Sequence, residues 1–182
     1  MLNTTILSIS ILAATTAPMA IAEMSHKHEH KHEHKHEEQE KVSSEKKALS
    51  KDVKKQLKDV MATYDDLHQA FFKGETKSME AKAKKLNELI NGIKDPEISK
   101  LLSYSAKQLE NIKASENKEK NNQVLHSVSA ALIHVLNTFD TELKHEAYYC
   151  PMVKMKWLQG PGNSDQVLNP YAPEMPHCGG KA

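Results

Sequence analysis

Arginine is absent from the 182 residues, and all 25 basic side chains are lysine. A chain without the guanidinium fork lacks the group best suited to gripping phosphates and bases bidentately. The formal net charge of +1 supplies no field to steer a polyanion, so nucleic acid is not an expected partner. Cysteine is scarce too, with two residues that form no Cys-x-x-Cys redox pair. No nucleophile elbow and no glycine-rich phosphate loop occurs, so an enzyme is not expected.

The longest uncharged stretch is the first 22 residues, apolar from Ile6 to Ala13 and ending Ala20-Ile21-Ala22. This is the pattern of a secretory signal cleaved after Ala22. Its apolar core is shorter than the ~20 residues a membrane span requires, and no cysteine follows the cleavage site to carry a lipid. The expected location is the periplasm, with no membrane anchor after cleavage. Export also places both cysteines where thiols pair.

Residues 23–43 come next, an arm in which His26, His28, His30, His32, His34 and His36 alternate with lysine and glutamate. In an extended chain alternate side chains share one edge, so these imidazoles can chelate copper(II), nickel(II) or zinc(II) in pairs. With nothing apolar to bury, the arm is expected to be disordered without metal.

Helical periodicity takes over at about residue 44. Leu49, Val53, Leu57, Val60, Tyr64, Leu67 and Phe71 recur at three- and four-residue steps until Gly74. A second helix is predicted from Thr76 to Asn91. Asp95-Pro96 reads as a cap and first turn for a third, running to about Ala114. A fourth is predicted from Glu119 to Glu146, with Phe139 and Leu143 on its inner face. The expectation is all-α: a four-helix up-down bundle over 44–147, followed by an irregular C-terminal loop over 148–182. Met61 and Met79 are expected in the core, and His68, His126, His134 and His145 at its surface or boundary.

The C-terminal loop holds both cysteines, the only tryptophan and five of the seven prolines. Pro161 and Gly162 turn the chain back, which can bring Cys150 and Cys178 together. Two soft clusters would then face each other: Cys150 with Met152, and Cys178 with Met175 and His177. Thiolate and thioether donors select copper(I) or silver(I) over harder ions. Zinc could use Cys150, Cys178 and His177 with one further ligand. A Cys150–Cys178 disulfide stapling the loop over Trp157 and Tyr171 is the alternative, stabilising by roughly 3–4 kcal/mol in the chain-entropy model. Both readings stay open on chemistry alone.

Cys150-Pro151-Met152, Trp157-Leu158, Asn169-Pro170-Tyr171, Met175 and Cys178-Gly179 resemble the signature of the bacterial domain-of-unknown-function family numbered 3347. The resemblance extends over about residues 48–182. It implies a small exported protein or a domain of the periplasmic adaptor subunits of copper and silver efflux systems, with such an adaptor as partner. Tyr149-Cys150-Pro151-Met152 with a later Cys-Gly is also similar to the short heavy-metal-binding domain of copper transporters. Val153 stands where that domain carries histidine. The family pattern is departed from at His177, where a small or basic residue is usual, and at Ala172-Pro173-Glu174, where a glycine is expected.

Overall fold

The computed structural model describes residues 45–163 and 165–182. The expected signal and the histidine arm, with His26 to His36, lie outside the described residues.

Four helices are built as their caps dictate. Helix α1 spans Lys51–Lys73; the Ser50 side chain accepts from the Val53 N–H, and Gly74 closes the helix in the left-handed conformation at φ 71°. Helix α2 spans Thr76–Asn91. Helix α3 spans Pro96–Leu109, where the Asp95 carboxylate accepts from the N–H groups of Glu97 and Ile98. Asn117 caps α4, Lys118–Thr138, by accepting from Lys120. Consecutive helices pack on one another.

Helix α4 ends eight residues before the expected Glu146. Asn137, Thr138, Asp140 and Thr141 favour local side-chain bonds over helix, and Phe139 turns extended and buries its ring. The freed backbone finds a partner ahead of α1. The Lys47 N–H donates to the Thr138 carbonyl at 2.9 Å, and the Asp140 N–H donates to the Lys47 carbonyl at 2.8 Å. Lys54 on α1 then pairs with both Asp140 and Glu142, holding a turn in which Glu142 adopts φ 58°.

The all-α expectation is overturned by the chain beyond this turn. The C-terminal segment is not an irregular loop but carries a three-stranded antiparallel sheet of order β2-β1-β3. Strand β1 is Glu146–Cys150, β2 is Met155–Gln159 and β3 is Gly180–Lys181. Tyr148 pairs with Trp157 and Cys150 with Met155 across the hairpin, while Tyr149 pairs with Gly180 on the other edge of β1. The aromatic residues of Tyr148-Tyr149 and Trp157 suit a pleated, half-buried surface better than a helix.

Sheet and helices share one core. Tyr148, Cys150, Trp157, Leu158 and Tyr171 belong to the same buried cluster as the helix stripes. The join is a hydrogen-bonded chain through buried groups. The Leu158 N–H of β2 donates to the Tyr64 hydroxyl of α1 at 3.1 Å, Tyr64 donates to Ser129 of α4 at 2.7 Å, and Ser129 donates to the Leu125 carbonyl. Each donor has one acceptor, so no polar group is stranded. Burial pushes the Tyr64 phenol well up from its ordinary range, which keeps it neutral as a donor.

Candidate functional site

Cys150 ends β1, and Pro151 opens a four-residue turn that Lys154 closes at φ 55°. The backbone of this turn, at Val153 and Met152, acts to lower the pKa of the Cys150 thiol. Cys178 arrives from the far end of the chain, just before β3 pairs with β1. Its sulfur stands 3.0 Å from that of Cys150, about an ångström beyond a covalent S–S bond of ~2.05 Å. Both cysteines are free thiols; Cys150 is buried and Cys178 partly exposed.

Two residues that the sequence marks only as parts of a motif hold this approach together. Asn169, fully buried, donates from Nδ2 to the Cys178 carbonyl at 2.9 Å and accepts the Tyr171 N–H at Oδ1. Its own N–H donates to the Pro176 carbonyl at 2.7 Å, so one side chain and one peptide clip both ends of the loop. Gly179 has φ 127°, and a Cβ there would meet the Trp157 ring and the Tyr149 carbonyl oxygen at 2.8 Å each. Only glycine lets the chain press that close. Trp157 in turn stacks on Tyr148, meets the edge of Tyr171, and donates to Gln159. From the helices, His68 Nε2 donates to the Leu168 carbonyl and Asn122 to the Tyr171 carbonyl.

The thiols are unequal. Burial acts to raise the Cys150 thiol, but the Cys178 S–H and the N–H groups of Val153 and Met152 outweigh it and hold it below its usual range. Cys178 is pushed up, first because its proton is engaged by Cys150. The pair therefore ionises first as a buried Cys150 thiolate accepting from the Cys178 thiol.

Of the other expected ligands, Met152 and Met175 are exposed near the pair in sequence, at 68% and 38%. The exposed His177 is turned to Val167, whose carbonyl its Nδ1 meets at 2.7 Å. Among the described residues no three of histidine, cysteine, aspartate and glutamate gather about one point. The bundle histidines also divide. His134 is exposed, and His126 and His145 lie at the boundary as expected, but His68 is buried, contrary to expectation. His145 donates to Asp65 at 3.0 Å, under Gly160, where a Cβ would stand 2.8 Å from that carboxylate.

Comparison with protein-family models finds no match for this chain, and neither curated proteins nor solved structures show one. Among the described residues, no helix is long and apolar enough to cross a membrane.

Proposed function

We propose that this is an exported, periplasmic carrier or buffer for a soft monovalent cation, copper(I) or silver(I), serving metal tolerance. The observation that carries the reading is the 3.0 Å meeting of two thiols drawn from either end of a loop. The surroundings of Cys150 hold its thiol below the usual range, which favours the thiolate a metal requires. Two thiolates, with exposed methionines two residues after Cys150 and three before Cys178 in the chain, would make a low-coordinate, all-sulfur donor set, the softness that separates copper(I) and silver(I) from zinc. The residues assigned are Cys150 and Cys178 as anchors, with Met152 and Met175 completing the shell. The histidine arm would gather divalent copper, nickel or zinc and release it as its imidazoles protonate below about pH 6.5.

At metal–sulfur distances near 2.3 Å, an ion held between both sulfurs spreads them to at most about 4.6 Å. Loading therefore moves the more exposed Cys178 outward, away from its contact with Cys150. Binding is proposed here, not turnover. The resemblance to domains of efflux adaptors supports delivery to such a subunit as the destination of the ion.

The test is binding stoichiometry for copper(I), silver(I), zinc(II) and nickel(II) on reduced protein, with and without residues 23–40. Tight monovalent binding that survives removal of the arm and is lost in Cys150→Ser supports the assignment. Monovalent binding that disappears with the arm overturns it. The same sulfur contact also favours a second reading, a disulfide-closed docking module of an efflux assembly. Fully oxidised cysteines in protein isolated from its compartment, with no uptake of copper(I) after reduction, would establish that reading instead.

A further inference from the structure

We infer that Cys178 is the entry point for thiol–disulfide exchange, and that the pair is a reversible redox site whose oxidised form opens from one side only. The inference needs the cysteine pair alone and stands apart from the metal reading. It rests on an asymmetry of access. Cys150 is fully buried between β1, the hairpin turn and Asn169, whereas Cys178 reaches the surface beside Met175 and His177. Both thiols are free, and their sulfurs need close by only about an ångström to bond. Disulfides with an exposed sulfur are typically the reducible ones.

Exchange proceeds by attack on a disulfide sulfur, and access selects which one. When a small-molecule thiolate such as glutathione meets the oxidised pair, it attacks the Cys178 sulfur. The Cys150–Cys178 bond breaks, and its electron pair leaves on Cys150. The departing thiolate stays buried, with Asn169 bonded to the Cys178 carbonyl beside it. The mixed disulfide now sits on Cys178. A second glutathione thiolate attacks the glutathione sulfur of that bond, releasing the Cys178 thiolate and glutathione disulfide, and water protonates Cys178. Two glutathione thiols are oxidised and two cysteines reduced. Oxidation by glutathione disulfide retraces the path through the same Cys178 adduct. Since a disulfide has no thiolate to offer an ion, oxidation and soft-metal loading exclude each other.

The experiment exposes the full chain, as Cys150→Ser and as Cys178→Ser, to glutathione disulfide and follows adduct formation by intact mass. Cys150→Ser, which keeps Cys178, is expected to form its mixed disulfide at least about tenfold faster than Cys178→Ser. Equal rates, or a faster Cys150, would overturn the inference. Because either serine could disturb the loop, wild-type protein is also alkylated with a limiting amount of iodoacetamide and mapped by peptide mass. Ionisation favours Cys150 and access favours Cys178, so label on Cys178 first shows that access decides and supports the inference, and label on Cys150 first sinks it. Silver(I) binding to the reduced protein is measured in parallel. Its absence would defeat the metal reading without touching the order of labelling, and a reversed order would leave metal binding intact.

Discussion

Gly179 lies so close to Trp157 that a single added carbon would stand 2.8 Å from the indole Cη2. The contact makes the only tryptophan a reporter of the path that carries Cys178 to Cys150. Gly179→Ala introduces both a clash and a side chain at φ 127°, which L residues rarely adopt. It is expected to destabilise the fold by about 2 kcal/mol or more and to shift Trp157 emission in the folded state. Denaturant unfolding followed by fluorescence checks both. An unchanged midpoint with unchanged emission would mean that the glycine contact is not what seats the tail.

His68 ties α1 to the same loop and sets its acid limit. Burial lowers its pKa from 6.5 to about 4, against the opposing effect of its bond to the Leu168 carbonyl. The folded state therefore resists a proton that the unfolded chain accepts below pH 6.5. Stability is full above that value and falls as pH drops toward 4, by up to roughly 3 kcal/mol in total. His68→Gln keeps a donor for Leu168 and removes the titration. It is expected to flatten the stability profile between pH 6.5 and 4. A slope that survives the substitution would place the acid sensitivity elsewhere.

Tyr64→Phe tests the join between sheet and helices. The change leaves the buried Leu158 N–H without its acceptor and Ser129 without its donor, at a cost of about 1–3 kcal/mol. Hydrogen exchange at the Leu158 amide is expected to speed up beyond what the global loss of stability accounts for. Exchange that tracks global unfolding alone would show that another contact pins β2.

Two helix ends are legible in the sequence, since Gly74 and Asp95-Pro96 mark ends where the structure has them; the start of α1, expected near residue 44, falls at Lys51 behind the Ser50 cap, and α3, expected to run to about Ala114, ends at Leu109. The end of α4 is not legible, because Phe139 and Leu143 keep a helical interval after Asn137, Thr138, Asp140 and Thr141 have already broken the helix. The two five-residue strands hide behind the turn-forming residues around them, although Tyr148-Tyr149 and Trp157 carry a β signal. Strand β3, two residues long, has no side-chain pattern to read and exists only through its pairing with Tyr148 and Tyr149. At the site, the meeting of the cysteines can be argued from their chemistry and the turns between them. The parts played by Asn169 and Gly179 cannot, since both depend on which backbone and which ring the tail reaches once it has folded over.

Silver(I) titration of the reduced chain, read by Trp157 emission and by protection of the two thiols from alkylation, tests the central claim most directly. One equivalent of ion is expected to protect both Cys150 and Cys178 together and to shift the emission as the neighbouring Gly179 moves against the indole. Removing residues 23–40 is expected to leave this endpoint unchanged. Thiols that stay fully reactive with silver(I) in excess, or protection that vanishes with the histidine arm, would contradict it.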